Sequence, residues 1–147
     1  MRYFEDFPAG TRFRTGTERL SRDDIIAFAR DHDPQPFHVD PDAAATSPFG
    51  GLIASGFHTM LVAFRLSLRD GGWAEASMGS PGMDEIRWLR PVRPGSTLHV
   101  EGEVVSARPS GSKPDRGYAE IAYSVMDKQH NVVMTYRATH ILRRRPN

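Results

Sequence analysis

The spacing of apolar positions changes along the chain, from a helical period in the first half to strict alternation in the second. Thr11 to Thr17 alternates loosely and predicts a short first strand. Ser21-Arg22-Asp23-Asp24 then reads as a capping box, with Leu20 and Ile25 at the two positions of a hydrophobic staple. The helix predicted from there carries Ile25, Ile26, Phe28 and Ala29 on one face and stops close to Arg30. Beyond it, Asp33-Pro34-Gln35-Pro36 places two prolines that disfavour helix at the residues before them. Residues 31–40 are therefore predicted to form a stiff, extended loop, and Pro41-Asp42 to open a short turn or helix through Ala45.

Ser47-Pro48-Phe49-Gly50-Gly51 punctuates the chain again. After it comes the most apolar stretch, Leu52 to Leu68, ended by Asp70-Gly71-Gly72. Phe57, Met60, Leu61, Phe64 and Leu68 recur at helical spacing, and Val62, Ala63 and Leu66 make most of the remaining surface apolar too. A helix with so little polar face needs an element that wraps it.

The second half supplies that wrapper. Leu98, Val100 and Val104 alternate with polar residues, as do Ala119, Ile121, Tyr123 and Val125. Val132, Met134, Tyr136 and Ala138 alternate with Val133, Thr135 and Arg137. An earlier strand is expected over about Met83 to Leu89. The short connections, one with Pro109, Gly111, Pro114 and Gly117 and one over 127–131, predict antiparallel neighbours. The architecture expected is α+β, a curled antiparallel sheet around one buried helix.

Composition narrows the functions open to such a domain. The 147 residues fit a single domain, 1–147. Nineteen basic against eighteen acidic residues leave a net charge of +1, which gives no general reason to expect nucleic acid. Arg143-Arg144-Arg145 is the one basic cluster and reads as a solvated tail. The chain has no cysteine, so disulfides, thiolate nucleophiles and cysteine–zinc sites are excluded together. No stretch approaches the roughly 18 apolar residues of a membrane span, and Met1 to Asp6 lacks the apolar core of a signal peptide. A cytoplasmic protein without a membrane partner is the expectation.

Two places carry candidate chemistry. Asp33 and His38 are separated by a spacer that Pro34 and Pro36 stiffen, so a carboxylate and an imidazole are held with little freedom left to lose. Such a pair can hold or move a proton near neutral pH. The bland alternative is a rigid turn, with Asp33 bonding local backbone N–H groups. Gly56 falls at the expected first turn of the apolar helix, where free N–H groups favour developing negative charge. It would serve as an oxyanion site, or simply meet the geometry of the loop beside Gly50 and Gly51. Asp31 and Asp40 are expected to support or cap, and His58 to be a structural histidine with its hydrogen bonds met. His38-Val39-Asp40 lacks anything to complete a metal ligand set.

Taken together, Asp33-Pro34-Gln35-Pro36-Phe37-His38-Val39-Asp40, then Ile53-Ala54-Ser55-Gly56, and later Trp88-Leu89-Arg90-Pro91-Val92-Arg93-Pro94-Gly95, resemble the MaoC-like hydratase family over nearly the whole chain. Gln35 stands where that family usually has asparagine, and His32 where glycine usually precedes the aspartate. The resemblance implies a hot-dog fold, commonly a homodimer, and an acyl thioester substrate carried by coenzyme A or acyl carrier protein. It implies Asp33 and His38 as the catalytic acid–base pair and Gly56 as the oxyanion-hole glycine. The implied reaction is (R)-specific hydration of a trans-2-enoyl thioester, or the reverse dehydration, with no metal or redox cofactor. Phe37, Phe57 and Met60 would line an acyl tunnel or belong to the core. Arg87, Arg90, Arg93, Lys113 and Arg116 would meet carrier phosphates or remain solvated. A hot-dog thioesterase is the nearest rival, though 55–69 contains no acidic residue to serve it. A non-catalytic acyl-thioester binding module is the other.

Overall fold

In the computed structural model, which describes all residues 1–147, the capping box at Ser21 opens helix α1 (Arg22–His32). Ser21 Oγ accepts from Asp24 N–H at 3.1 Å and Asp24 Oδ2 accepts from Ser21 N–H at 3.3 Å. Leu20 and Ile25, the staple residues, are both buried. Two short strands precede it, β1 (Arg12–Arg14) and β2 (Glu18–Arg19).

Where a fully extended loop was expected, Pro36–Val39 forms a helical turn, α2, with Pro36 at its first position. A proline there forfeits no hydrogen bond and arrives with the φ a helix needs, so it starts a helix rather than preventing one. Asp40 then caps α3 (Pro41–Ala45), its Oδ1 accepting from Asp42 N–H and Ala43 N–H.

Helix α4 (Gly56–Asp70) lies against an antiparallel sheet in the order β1-β4-β5-β6-β3, with β2 also pairing to β4. The long strands are β4 (Thr97–Pro109), β5 (Arg116–Met126) and β6 (Val132–Arg143), and β3 (Gly82–Trp88) forms one edge. This is the hot-dog arrangement. Val62, Ala63 and Leu66 of α4 meet Leu98, Val100, Ile121, Val125 and Met134 of the sheet in one buried core. At about 25 cal/mol per Å² of apolar surface, such burial is the main force holding helix to sheet.

Three expectations need correction. In β6, Val133 is buried while Val132 is only half-buried. Val125 pairs with Met134 and Met126 with Val132, so Val133 is the extra residue of a bulge. The arginine run at 143–145 is tied down. Arg144 pairs with Glu5, and Arg145 with Asp6 while lying over the Tyr3 ring. Finally, α4 is wrapped on one side only: Phe57, Leu61, Phe64 and Leu68 face outward, 60%, 49%, 48% and 39% exposed. No helix is long and apolar enough to cross a membrane.

Candidate active site

The end of α1 and the start of α4 bring the two candidate motifs together. Asp33 is the C-cap of α1, its N–H donating to Ala29 O, so its side chain leaves the helix at the point where the proline-bearing turn begins. One helical turn later His38 is buried, its Nδ1 2.7 Å from Ile53 O. With a carbonyl at that distance, Nδ1 carries the proton. In the neutral ring Nε2 is then left with its lone pair, and it lies 3.3 Å from Asp33 Oδ2.

Each oxygen of the Asp33 carboxylate accepts one hydrogen bond. Oδ2 accepts from Ser55 Oγ at 2.7 Å, and Oδ1 from Gln35 Nε2 at 2.7 Å. Partial burial pushes its pKa up, but those two hydrogen bonds and the nearby His38 outweigh it, holding the carboxyl below the usual aspartate value. Gln35, where the resembling family usually carries asparagine, thus reaches the carboxylate directly.

Ser55 belongs to the Ile53-Ala54-Ser55-Gly56 motif, in which no role is assigned to the serine from the sequence alone. It is fully buried, it is the N-cap of α4, and its Oγ also accepts from Phe57 N–H at 3.3 Å. A serine before a long apolar helix is a recognisable cap, so the capping role was legible. The second bond, to a residue 22 positions earlier, was not.

Gly56 opens α4. Its N–H has no acceptor among the hydrogen bonds of the protein, as expected for the first turn of a helix. Its carbonyl accepts from Trp88 Nε1 at 2.9 Å. A Cβ at this position would lie 2.6 Å from that same nitrogen, so the close approach of the Trp88 indole is what requires glycine here.

These groups share a cavity of about 490 Å³, lined by Asp33, Gln35, His38 and Gly56 and walled by Phe37, Phe57 and Trp88. Arg90 borders it. Arg93 instead donates to Phe49 O and Gly51 O, holding the loop before α4, and Arg116 pairs with Asp115. Asp40 is a cap, and Asp31 is exposed. His58 stacks on Phe28, centroids 4.4 Å apart, and burial lowers its pKa. Its Nδ1 has no partner, so the expected full satisfaction of that histidine does not hold. No group of three or more histidine or acidic side chains is arranged to hold a metal ion.

Comparison with known proteins places this geometry in context. The profile of the MaoC like domain family matches residues 6–125. A MaoC-like dehydratase from Rhodospirillum rubrum superposes with a TM-score of 0.93 at 38% sequence identity, over 100% of both chains. The uncharacterized protein YdeM of Bacillus subtilis is 33% identical over 105 residues, 71% of this chain and 74% of that protein. The 3-hydroxyacyl-thioester dehydratase Z of Mycobacterium tuberculosis is 29% identical over 120 residues, 76% of this chain and 80% of its own.

Proposed function

The chain belongs to the MaoC-like domain family, and from that membership we propose that it adds water to trans-2-enoyl thioesters, giving (R)-3-hydroxyacyl thioesters, or catalyses the reverse dehydration. The carrying observation is the Asp33–His38 pair, 3.3 Å apart, in one cavity with the unpaired N–H of Gly56. The protein named as a 3-hydroxyacyl-thioester dehydratase, 29% identical, supports the substrate class.

In this reading a water on the cavity side bridges Asp33 Oδ2 and His38 Nε2, donating one hydrogen to each. Asp33, kept ionised by Ser55 and Gln35, takes one proton as the water oxygen bonds to C3 of the enoyl group. His38, held by Ile53 O, orients the water through its lone pair. The C2–C3 π electrons move toward the thioester oxygen, and the Gly56 N–H at the positive end of α4 receives that charge. The carboxyl then returns its proton to C2. Both hydrogens of the water are thereby accounted for, one on the new hydroxyl and one on C2. The scheme calls on no metal or redox cofactor. The acyl group is carried on coenzyme A or acyl carrier protein, with Arg90 at the cavity edge placed to meet a phosphate of the carrier.

The functional unit in this proposal is a homodimer. The β3 edge and the outward apolar row of α4 lie side by side, and a second copy would cover both.

The test is hydration of short trans-2-enoyl-CoAs, followed by loss of the conjugated enone and by product chirality. Turnover to the (R) product that falls at least about a hundredfold in Asp33→Asn, with the fold unchanged, is the expected result. Full activity in that variant would sink the assignment, and release of free thiol without hydration would favour a thioesterase.

A further inference from the structure

The amides that open α4 are nearly all spent inside the protein. Phe57 N–H donates to Ser55 Oγ at 3.3 Å, and His58 and Thr59 N–H both donate to Ser55 O, at 3.0 and 3.1 Å. That leaves the Gly56 N–H as the one backbone donor for an oxygen bound at this end of the helix. A thioester oxygen that gathers charge has room for two donors, and a single amide supplies only one.

Thr59 is placed to supply the other. It is 2% exposed and borders the cavity that holds Asp33, His38 and Gly56, where it is the only hydroxyl-bearing residue of the lining. Further along the same buried face, Ser67 Oγ donates back to Ala63 O at 2.8 Å, the ordinary habit of a helical hydroxyl. Thr59 Oγ1 makes no such bond to Ser55 O, nor any other within the protein. It is not sealed off either, since the buried side-chain polar atoms without partner or open surface are His58 Nδ1 and Trp73 Nε1. What surface Thr59 Oγ1 keeps therefore opens on the cavity that its residue lines.

Thr59 follows Gly56 by three positions, and such residues are neighbours on one helix face, about 5–6 Å apart. A helical side chain leans toward the N-terminus, over the preceding turn, which here is Gly56. One oxygen accepting at about 2.9 Å from each of two donors spans a gap of that size. We propose that Thr59 is a further catalytic residue, its hydroxyl donating to the thioester oxygen together with the Gly56 N–H. Charge leaving the C2–C3 double bond as water adds to C3 then meets two donors, one from the backbone and one from a side chain. Trp88 cannot take this part, because its Nε1–H is spent on Gly56 O. The inference rests on the hydratase reading of the site and adds a residue to it.

Valine and serine at this position separate the hydroxyl from the packing. Thr59→Val keeps the shape and loses the hydroxyl, whereas Thr59→Ser keeps the hydroxyl and loses a buried methyl. With a short trans-2-enoyl-CoA, Thr59→Val should lower kcat about a hundredfold at little changed KM, the loss expected for one oxyanion donor. Thr59→Ser should recover most of that activity. A residue that only packed would reverse the order, valine above serine, and that result would overturn the proposal. Binding gives a readout apart from turnover. In infrared difference spectra of bound butyryl-CoA, isotopically labelled at the thioester carbon, each donor lowers the carbonyl stretch. The stretch should rise in Thr59→Val and hold in Thr59→Ser, and an unmoved stretch in folded Thr59→Val would also overturn the proposal. The expected shift in a protein that hydrates no trans-2-enoyl-CoA would sink the reaction and keep the thioester donor. Hydration unimpaired in Thr59→Val would do the reverse.

Discussion

Ser55 Oγ donates to Asp33 Oδ2 at 2.7 Å while accepting from the Phe57 N–H at 3.3 Å, so one hydroxyl both caps α4 and holds the candidate base. The two residues come from different motifs, 22 positions apart, and this bond sets the carboxylate beside the helix N-terminus. Removing the hydroxyl should therefore disturb stability and catalysis through separable routes. Ser55→Ala is expected to cost about 1 kcal/mol as a lost cap. Asp33 would also lose one of the bonds that lower its pKa, so its carboxyl should titrate at higher pH. Activity that needs the ionised carboxylate rises as pH climbs through that pKa, so the acid limb of kcat against pH should move upward. Ser55→Thr, which keeps the hydroxyl, should restore it. An acid limb unmoved in Ser55→Ala would detach Ser55 from the chemistry.

Gly56 and Trp88 should behave as a coupled pair. Ala at 56 puts a Cβ 2.6 Å from Trp88 Nε1, and the indole must move, breaking its bond to Gly56 O. Gly56→Ala is expected to lose stability by about 1 kcal/mol, less than the clash alone suggests because alanine favours helix. In a Trp88→Ala background the same change should cost nothing or stabilise, a coupling read from denaturation midpoints. Activity is the other readout. If Gly56 N–H receives the thioester oxygen, restored stability in the double variant should not restore kcat.

Acid should destabilise the fold through His140. Burial depresses its pKa from 6.5 to about 4, so the folded protein resists a proton that the unfolded chain accepts. Stability is then fully present above the unfolded value and declines as pH falls from about 6.5 toward 4, by up to about 3 kcal/mol. Urea denaturation at pH 7 and pH 4.5 should show this loss, and His140→Gln should flatten it. An equal slope in both proteins would assign the acid sensitivity elsewhere.

Local chemistry explains what the sequence made legible. The Ser21 box, the alternation of Ala119 to Val125 and the helical spacing of 56–70 each act within a few residues, and each is present in the structure. The Asp33–His38 pairing was legible for the same reason, since both lie on one short, proline-stiffened stretch. Ser55 on Asp33 and Trp88 on Gly56 were not, because those contacts depend on the approach of distant segments. Gln35 shows the limit from the other side: named as a departure from the resembling family, it donates to Asp33 at 2.7 Å. Nor could periodicity alone tell an all-round apolar helix that is wholly wrapped from one wrapped on a single side.

That bare side leads to the last prediction. Phe57, Leu61, Phe64 and Leu68 project from α4 on the same face, and Met83, Trp88 and Leu89 are exposed beside them at the free edge of the sheet. Strand β3 pairs only with β6 and is interrupted by a bulge at Asp84 to Arg87, with Glu85 at φ 53°. An apolar row of this size next to an open strand edge is a liability in a monomer and an asset in a dimer. Light scattering behind size exclusion should give twice the 16.4 kDa chain mass at micromolar concentration. Leu61→Asp puts a charge in the middle of the row, where the isolated fold can tolerate it because the residue is exposed. It should yield a folded monomer, with unchanged far-UV dichroism and a lower, concentration-independent melting temperature. Because Phe57 and Trp88 also wall the candidate active site, that monomer should lose affinity for acyl thioesters although Asp33, His38 and Gly56 remain in place. A wild-type protein that is monomeric at high micromolar concentration would refute the dimer and leave the apolar row to another partner.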